Sequence, residues 1–350
     1  MMHRRVSSSS IVQRWMGLIG GMLAASSAFA ASSPKAPYYH PHRLVQIEAG
    51  RRLNLYCVGS GSPVVIFDYG HGGPITVWSK VQPAIGKLTT ACAYDRAGYG
   101  FSDPGPLPRS TAARVSDLHA LLHAAGLKGP YIFVGHSLAG LDGDLFADKY
   151  LPELAGMVLV DPSIEGQDEA FNAVLGSRVR FDKIRSGFSR CAAIARSGKL
   201  PTDAKDVNDC LDRDPHDDAL ARRVKDQWSM SPALWDTLRS EFESIYPGSP
   251  SPDQDFAGID AAQRDWGHLP LIILTAGHSS DWAPASLRRR VKAVWVSHHD
   301  ALAARSSRGR NILVPDSGHY IQLEHPAVVV DAITEVLKTA RQDASGKSTP

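Results

Sequence analysis

The apolar run Tyr131-Ile132-Phe133-Val134 passes directly into Gly135-His136-Ser137-Leu138-Ala139-Gly140. A β-branched and aromatic run followed by small residues and a helix-compatible stretch predicts a strand, a sharp turn and a helix. Such a turn forces the residue at its apex toward strained backbone angles and lifts the side chain above the sheet. Bulky neighbours would collide there, so Gly135, Ala139 and Gly140 suit the bend. A serine hydroxyl is a weak nucleophile until a base takes its proton. Ser137 therefore acquires meaning only if a histidine, a carboxylate and an oxyanion hole accompany it; alone, Gly-x-Ser reads equally well as an ordinary glycine-rich turn.

A histidine stands where this chemistry needs one. Asn311-Ile312-Leu313-Val314 reads as a short strand, and Asp316-Ser317-Gly318-His319-Tyr320 follows it near the end of the chain. His319 is thus expected on the loop after the last strand, able to reach over Ser137. Upstream, Pro63-Val64-Val65-Ile66-Phe67-Asp68 reads as a strand, followed by Tyr69-Gly70-His71-Gly72-Gly73 and, a little later, Trp78. Ala91 to Asp103 reads as a strand running into a glycine-rich turn, and Gly156 to Pro162 as another strand ending in Val160-Asp161-Pro162.

Taken together, these motifs make residues 44–340 resemble the α/β-hydrolase superfamily, in its lid-bearing serine-esterase-like branch. The resemblance implies an α/β fold with a mostly parallel eight-stranded sheet, helices on both faces and an inserted helical cap. It also implies the catalytic order serine, acid, histidine. For the acid it leaves two residues open, Asp161 at the end of its strand and Asp281 after the strand Leu271–Ala276. The oxyanion hole would use the backbone N–H of Leu138 and one from the glycine loop; the register counted back from Trp78 selects His71, whereas the His71-Gly72-Gly73 string would select Gly72 or Gly73.

Along the chain, Arg4, Arg5 and Arg14 flank and precede an apolar stretch, and Ala28-Phe29-Ala30 forms a small-x-small site, so residues 1–30 read as a secretory signal peptide. Its loss takes 38 basic residues to 35 against 36 acidic ones, a net charge near −1. No basic stripe interleaved with aromatics suggests nucleic acid as a partner, and no stable membrane span is expected after cleavage. An exported, periplasmic or extracellular location follows. Residues 31–43 read as an extended lead-in, 44–162 and 267–340 as the core, 163–266 as the cap insertion, and 341–350 as a disordered tail.

Export permits disulfides. Cys191 and Cys210 enclose a polar loop and are one candidate pair; Cys57 and Cys92 fall on strands that the resemblance makes neighbours. Four cysteines allow three connectivities, and four unbridged thiols are the alternative. No cysteine or histidine spacing points to a metal, no cofactor is expected, and His298-His299 reads as a solvated pair on a helix. Trp228, Trp235 and Phe242 are candidates to line an apolar substrate pocket, or else pack the cap on the core.

The function expected from these residues is that of an exported serine hydrolase cleaving a carboxylic ester or related acyl bond of a small molecule. An acyl-enzyme would form on Ser137 with His319 as base. Three other readings stay open. A proline-type aminopeptidase would need acids such as Glu241 or Glu243 to grip an α-amine. A carbon–carbon bond hydrolase would use the same triad, and a ligand-binding relative would have kept the fold without catalysis.

Overall fold

A computed structural model of the protein describes residues 34–48, 50–176, 182–200, 210–211, 214–246, 255–256, 259 and 264–346. The leader expected at 1–30 lies outside them. Eight strands form one sheet: β1 Arg43–Glu48, β2 Arg51–Val58, β3 Val65–Asp68, β4 Ala91–Tyr94, β5 Tyr131–His136, β6 Leu154–Val160, β7 Leu271–Ala276 and β8 Gly309–Val314. Their spatial order is β1-β2-β4-β3-β5-β6-β7-β8. The first two pairings, β1 with β2 and β2 with β4, are antiparallel, and all others are parallel.

The central strands are buried and mostly apolar because helices cover both faces of the sheet. Side chains alternate between two cores. Tyr131, Phe133, Met157, Leu159, Leu271 and Ile273 point into one, and Ile132, Val134, Val158, Val160, Ile272 and Leu274 into the other. Ten helices are described: α1 Gln82–Ile85, α2 Thr111–Ala124, α3 Ala139–Tyr150, α4 Gln167–Leu175, α5 Asp182–Arg196, α6 Ala219–Ser229, α7 Pro232–Ile245, α8 Arg288–Ala303, α9 Ile321–Glu324 and α10 Pro326–Ala344. Val115, Leu118 and Leu122 of α2, Leu141 and Leu145 of α3, and Trp295 and Leu302 of α8 fill the first core. Val329, Ile333, Val336 and Leu337 of α10 fill the second. No helix among the described residues is long and apolar enough to cross a membrane.

The fold agrees with the architecture expected from sequence; the differences lie at its margins. The lead-in is not simply extended: Ala36–Tyr39 forms a 3-10 turn that buries Tyr38 and Tyr39, with Tyr38 edge-on to Tyr56 at 5.1 Å. The tail is ordered further than its polarity suggested. The α10 helix runs to Ala344 because Arg341 donates to the carbonyls of Ser62 and Leu88, and Asp343 pairs with Arg308. Four helices, α4 to α7, lie between β6 and β7, with α5 packed on α7.

Both candidate disulfides are formed. Cys57 and Cys92 face each other across the antiparallel β2–β4 pair with Cα atoms 4.0 Å apart, and Cys191 at the middle of α5 is bonded to Cys210.

One buried ion pair ties α3, the helix that follows Ser137, to its neighbour. The Arg114 guanidinium on α2 donates through Nε to Asp142 of α3 at 2.8 and 3.1 Å, with both groups almost fully buried. Removing one partner of such a pair strands a charge in an apolar setting. Arg114→Met is expected to lower unfolding free energy by about 3–5 kcal/mol in urea titration, and Arg114→Met with Asp142→Leu to recover most of that loss. Equal losses in the single and double variants would mean that packing, not charge pairing, sets the effect.

Candidate active site

Ser137 occupies the apex between β5 and α3 with φ of 54°, in the left-handed region that side chains other than glycine rarely enter. Its N–H donates to the Val160 carbonyl at 3.1 Å and its own carbonyl accepts from Ser163, which locks the turn against the end of β6. The bend leaves no room beside it: a Cβ at Gly140 would stand 2.4 Å from Pro162 Cβ and 2.5 Å from the Ser163 carbonyl oxygen. This explains the small residues that follow the serine.

Asp161, immediately after β6, is the second residue outside glycine with positive φ among the described residues, 43°. Its side chain is wholly buried and receives hydrogen bonds from three separate elements. Oδ2 accepts from His319 Nδ1 at 2.7 Å. Oδ1 accepts from the Ala276 backbone N–H at 3.0 Å and from Trp295 Nε1 at 2.8 Å. Asp281, the other candidate acid, is exposed on the loop after β7 and lies 3.3 Å from His278 instead. Of the two carboxylates, then, Asp161 is the one the fold brings to His319.

His319 is also held through its backbone. His136 is buried, and its Nε2–H donates to the His319 carbonyl at 3.0 Å, with the two rings 4.6 Å apart. Burial, reinforced by His319, pushes the His136 imidazole well below its usual range, so it stays neutral. In the sequence His136 reads only as part of the turn motif. Its position next to the apex, on a strand whose end meets the last loop, was the available signal. His299, expected to be solvated, is not. It is fully buried, with Nε2 donating to the Pro162 carbonyl at 2.9 Å and Nδ1 against the Thr275 hydroxyl at 2.6 Å, so it braces the segment that follows Asp161. Its spacing from Trp295 on one face of α8 pointed inward.

The loop after β3 lies against the serine. A Cβ at Gly70 would stand 2.9 Å from Ser137 Cβ and 3.3 Å from its Oγ, so only glycine allows this approach. His71 follows, with Nε2–H donating to the Leu238 carbonyl of α7 at 2.7 Å. Beneath the loop, Arg96 is buried among carboxylates and carbonyls. Its guanidinium donates to Asp68 at 2.9 Å, to the Gly70 carbonyl at 3.2 Å and to that of Tyr69. It also donates to both oxygens of Glu241 on α7, at 3.2 and 3.1 Å. Tyr99 donates its hydroxyl to Glu241 at 2.6 Å. Burial alone would raise the Glu241 carboxyl, but the Arg96 and Arg114 charges outweigh it and hold the group below the usual range. Glu241 is therefore fully engaged inside the protein, and Glu243 pairs with Arg239. Neither is placed as a free acid for a substrate amine.

Of the three pocket candidates, Phe242 is the one at this loop, 5.7 Å from His71 and from Phe188. Trp235 packs instead with Tyr99, Leu238 and the Cys191–Cys210 bridge, and donates Nε1 to the Ser229 carbonyl. Trp228 stands against Phe101 and Tyr39. Both serve to seat the inserted helices, because their rings meet apolar neighbours of the insertion and lead-in.

The Tyr99–Glu241 bond joins the core to α7 without touching Ser137. A double-mutant cycle with Tyr99→Phe and Glu241→Gln, read by chemical denaturation, is expected to give a coupling of about 1–3 kcal/mol. Additive effects would mean that this bond does not hold α7 to the core.

The model of the alpha/beta hydrolase family matches residues 63–332. Among curated proteins, YqjL of Bacillus subtilis is 34% identical over 106 residues, which cover 30% of this chain and 42% of that protein. The 2-(acetamidomethylene)succinate hydrolase of Mesorhizobium japonicum is 24% identical over 302 residues, covering 83% of this chain and 94% of the relative. In the first three curated relatives, YqjL among them, the match spans less than half of the relative's own length. A thermophilic esterase from Thermogutta terrifontis is similar in structure, with TM-score 0.52 and 19% identity, covering 86% of this chain and 99% of the esterase. With an eight-stranded sheet in this order, an elbow at its fifth strand and a family match across most of the chain, the protein belongs to the alpha/beta hydrolase family.

Proposed function

We propose that the protein is an exported serine hydrolase that cleaves a carboxylic ester of a small molecule, with Ser137 as nucleophile, His319 as base and Asp161 as the acid. The hydrogen bond between Asp161 Oδ2 and His319 Nδ1, beside a strained Ser137, is the observation that carries this reading. The buried carboxylate fixes the imidazole with its proton on Nδ1, leaving Nε2 a lone pair with which to take the serine proton. As Oγ attacks the carbonyl, the oxyanion would be held by the backbone N–H groups of Leu138, at the start of α3, and His71, after Gly70. The imidazolium then protonates the leaving alcohol, and water repeats the cycle on the acyl-enzyme. The α3 dipole favours negative charge at this end. Phe188 and Phe242, packed on His71, supply apolar surface for the acyl or alcohol group. Export is supported by the two disulfides, which persist in oxidising compartments.

The engagement of Glu241 by Arg96 and Tyr99 weighs against the aminopeptidase reading. Relatives and structural neighbours bear names for different bonds, a succinate-derivative hydrolase and an esterase among them. The acyl group is therefore a matter for a substrate panel. The mature protein is expected to react with a fluorophosphonate probe and to turn over p-nitrophenyl esters faster than proline anilides, and Ser137→Ala to abolish both labelling and turnover. Unlabelled wild-type protein would favour a ligand-binding role.

Asp161→Asn should cut kcat by about 10⁴-fold, the scale seen when such a carboxylate is replaced, whereas Asp281→Asn should leave it within about twofold. The reverse ranking would move the acid to Asp281. Gly70→Ala should reduce kcat by at least about 10²-fold, as expected for losing one oxyanion donor's geometry, while circular dichroism shows the fold intact. Full activity in Gly70→Ala would exclude this loop from the oxyanion hole.

A further inference from the structure

Far from Ser137, the last turn of α2 meets the 3-10 turn Leu151–Glu153 that leads into β6. His119 and His123 are one helical turn apart and project to the same side of α2, as i and i+4 residues do. His119 Nε2 lies 2.9 Å from Glu153 Oε1, His123 Nε2 lies 3.4 Å from Glu153 Oε2, and the two Nε2 atoms are 3.1 Å apart. Among the described residues this is the one group in which three histidine, cysteine or acidic side chains bring ligand atoms within 4.8 Å of one another. The His119 ring is fixed by stacking on Tyr150, with centroids 3.9 Å apart and planes 7° from parallel.

Protons alone satisfy this arrangement poorly. A carboxylate only accepts, so each Nε2 would carry a hydrogen to bond Glu153. Two N–H groups would then face each other across 3.1 Å. If either imidazole gives up that hydrogen to accept from the other, it turns a lone pair toward the Glu153 carboxylate. A cation with open coordination satisfies all three lone pairs at once. Bond lengths of about 2.0–2.2 Å to nitrogen and oxygen in a tetrahedral zinc site put neighbouring ligand atoms about 3.3 Å apart, close to the three separations here. Two imidazoles and one carboxylate suit a first-row divalent transition ion rather than calcium or magnesium.

We propose that His119, His123 and Glu153 form a binding site for a first-row divalent transition ion such as zinc, with the remaining coordination filled by water. The proposed site departs from the expectation of no metal drawn from sequence, where a His-x-x-x-His pair on a helix is the available signal. Bound there, the ion bridges α2 and the turn before β6. The six steps of β6 from Leu154 to Val160 place it about 20 Å along the strand from Asp161, so its role is to stabilise the fold and not to take part in the reaction.

The test uses tag-free mature protein stripped with a chelator, titrated calorimetrically with zinc chloride and, separately, with calcium chloride. Wild type should bind one equivalent of zinc with a dissociation constant in the micromolar range or below, and its melting temperature should rise by several degrees on zinc addition. Calcium should do neither. His123→Ala, at an exposed position, and Glu153→Gln should each bind zinc at least tenfold more weakly and lose the thermal shift, with ester hydrolysis unchanged. Absence of saturable zinc binding in wild type, zinc affinity in both variants equal to that of wild type, or calcium binding as tightly as zinc would overturn the proposal.

Discussion

The Asp161 carboxylate is the point on which the site is organised. It accepts from an imidazole on the last loop, a backbone N–H at the end of β7 and an indole on α8, while its own backbone holds a positive φ. Such backbone conformations cost on the order of 1–3 kcal/mol each and persist only where the surroundings over-determine them. Ser137 and Asp161 both carry that strain, on adjacent parallel strands, and are braced by each other's segments through the Ser137–Val160 and Ser163–Ser137 backbone bonds. The sheet's register makes this pairing: β5 and β6 end side by side, so residues just beyond each strand meet above the same edge.

A second layer of constraint lies beneath the glycine loop. Arg96 binds the carbonyls of Tyr69 and Gly70 from the core side and Glu241 from the side of α7. One guanidinium thus sets both the loop that faces Ser137 and the helix that covers it. His71 closes the circuit by donating to Leu238 on the same helix. Burial lowers the His71 imidazole's affinity for a proton, so this contact adds a dipole and not a second positive charge beside the serine. The position of the inserted helices and the shape of the loop therefore depend on each other through buried, fully paired polar groups, which fix geometry more tightly than apolar packing alone.

Much of this was legible in the sequence because short-range rules govern it. The Tyr131–Gly140 segment announced its strand, bend and helix through composition, and the last apolar strand before His319 placed that residue on the correct edge. The choice between Asp161 and Asp281 was not legible, since both follow strands that end at the same edge. What separates them is the approach of Trp295 and Ala276 to one and not the other, a fact of packing across more than a hundred residues. Glu241 misled for a related reason: a charge on an amphipathic helix reads as solvated or substrate-facing until Arg96 and Tyr99 are found beneath it. Tyr38 and Tyr39 lay in a proline-rich lead-in, and no local pattern revealed the groove they fill. The roles of His299 and His136 are not legible locally because their hydrogen-bond acceptors, the Pro162 and His319 carbonyls, come from distant segments.

The most direct examination of the central claim is a crystal structure of the mature protein after reaction with a phosphonate ester. Phosphorus is expected bonded to Ser137 Oγ, with His319 still bonded to Asp161 and the phosphoryl oxygen about 2.7–3.1 Å from the backbone nitrogens of Leu138 and His71. Phosphorus on another residue, or an oxygen turned away from both nitrogens with His319 released from Asp161, would contradict it.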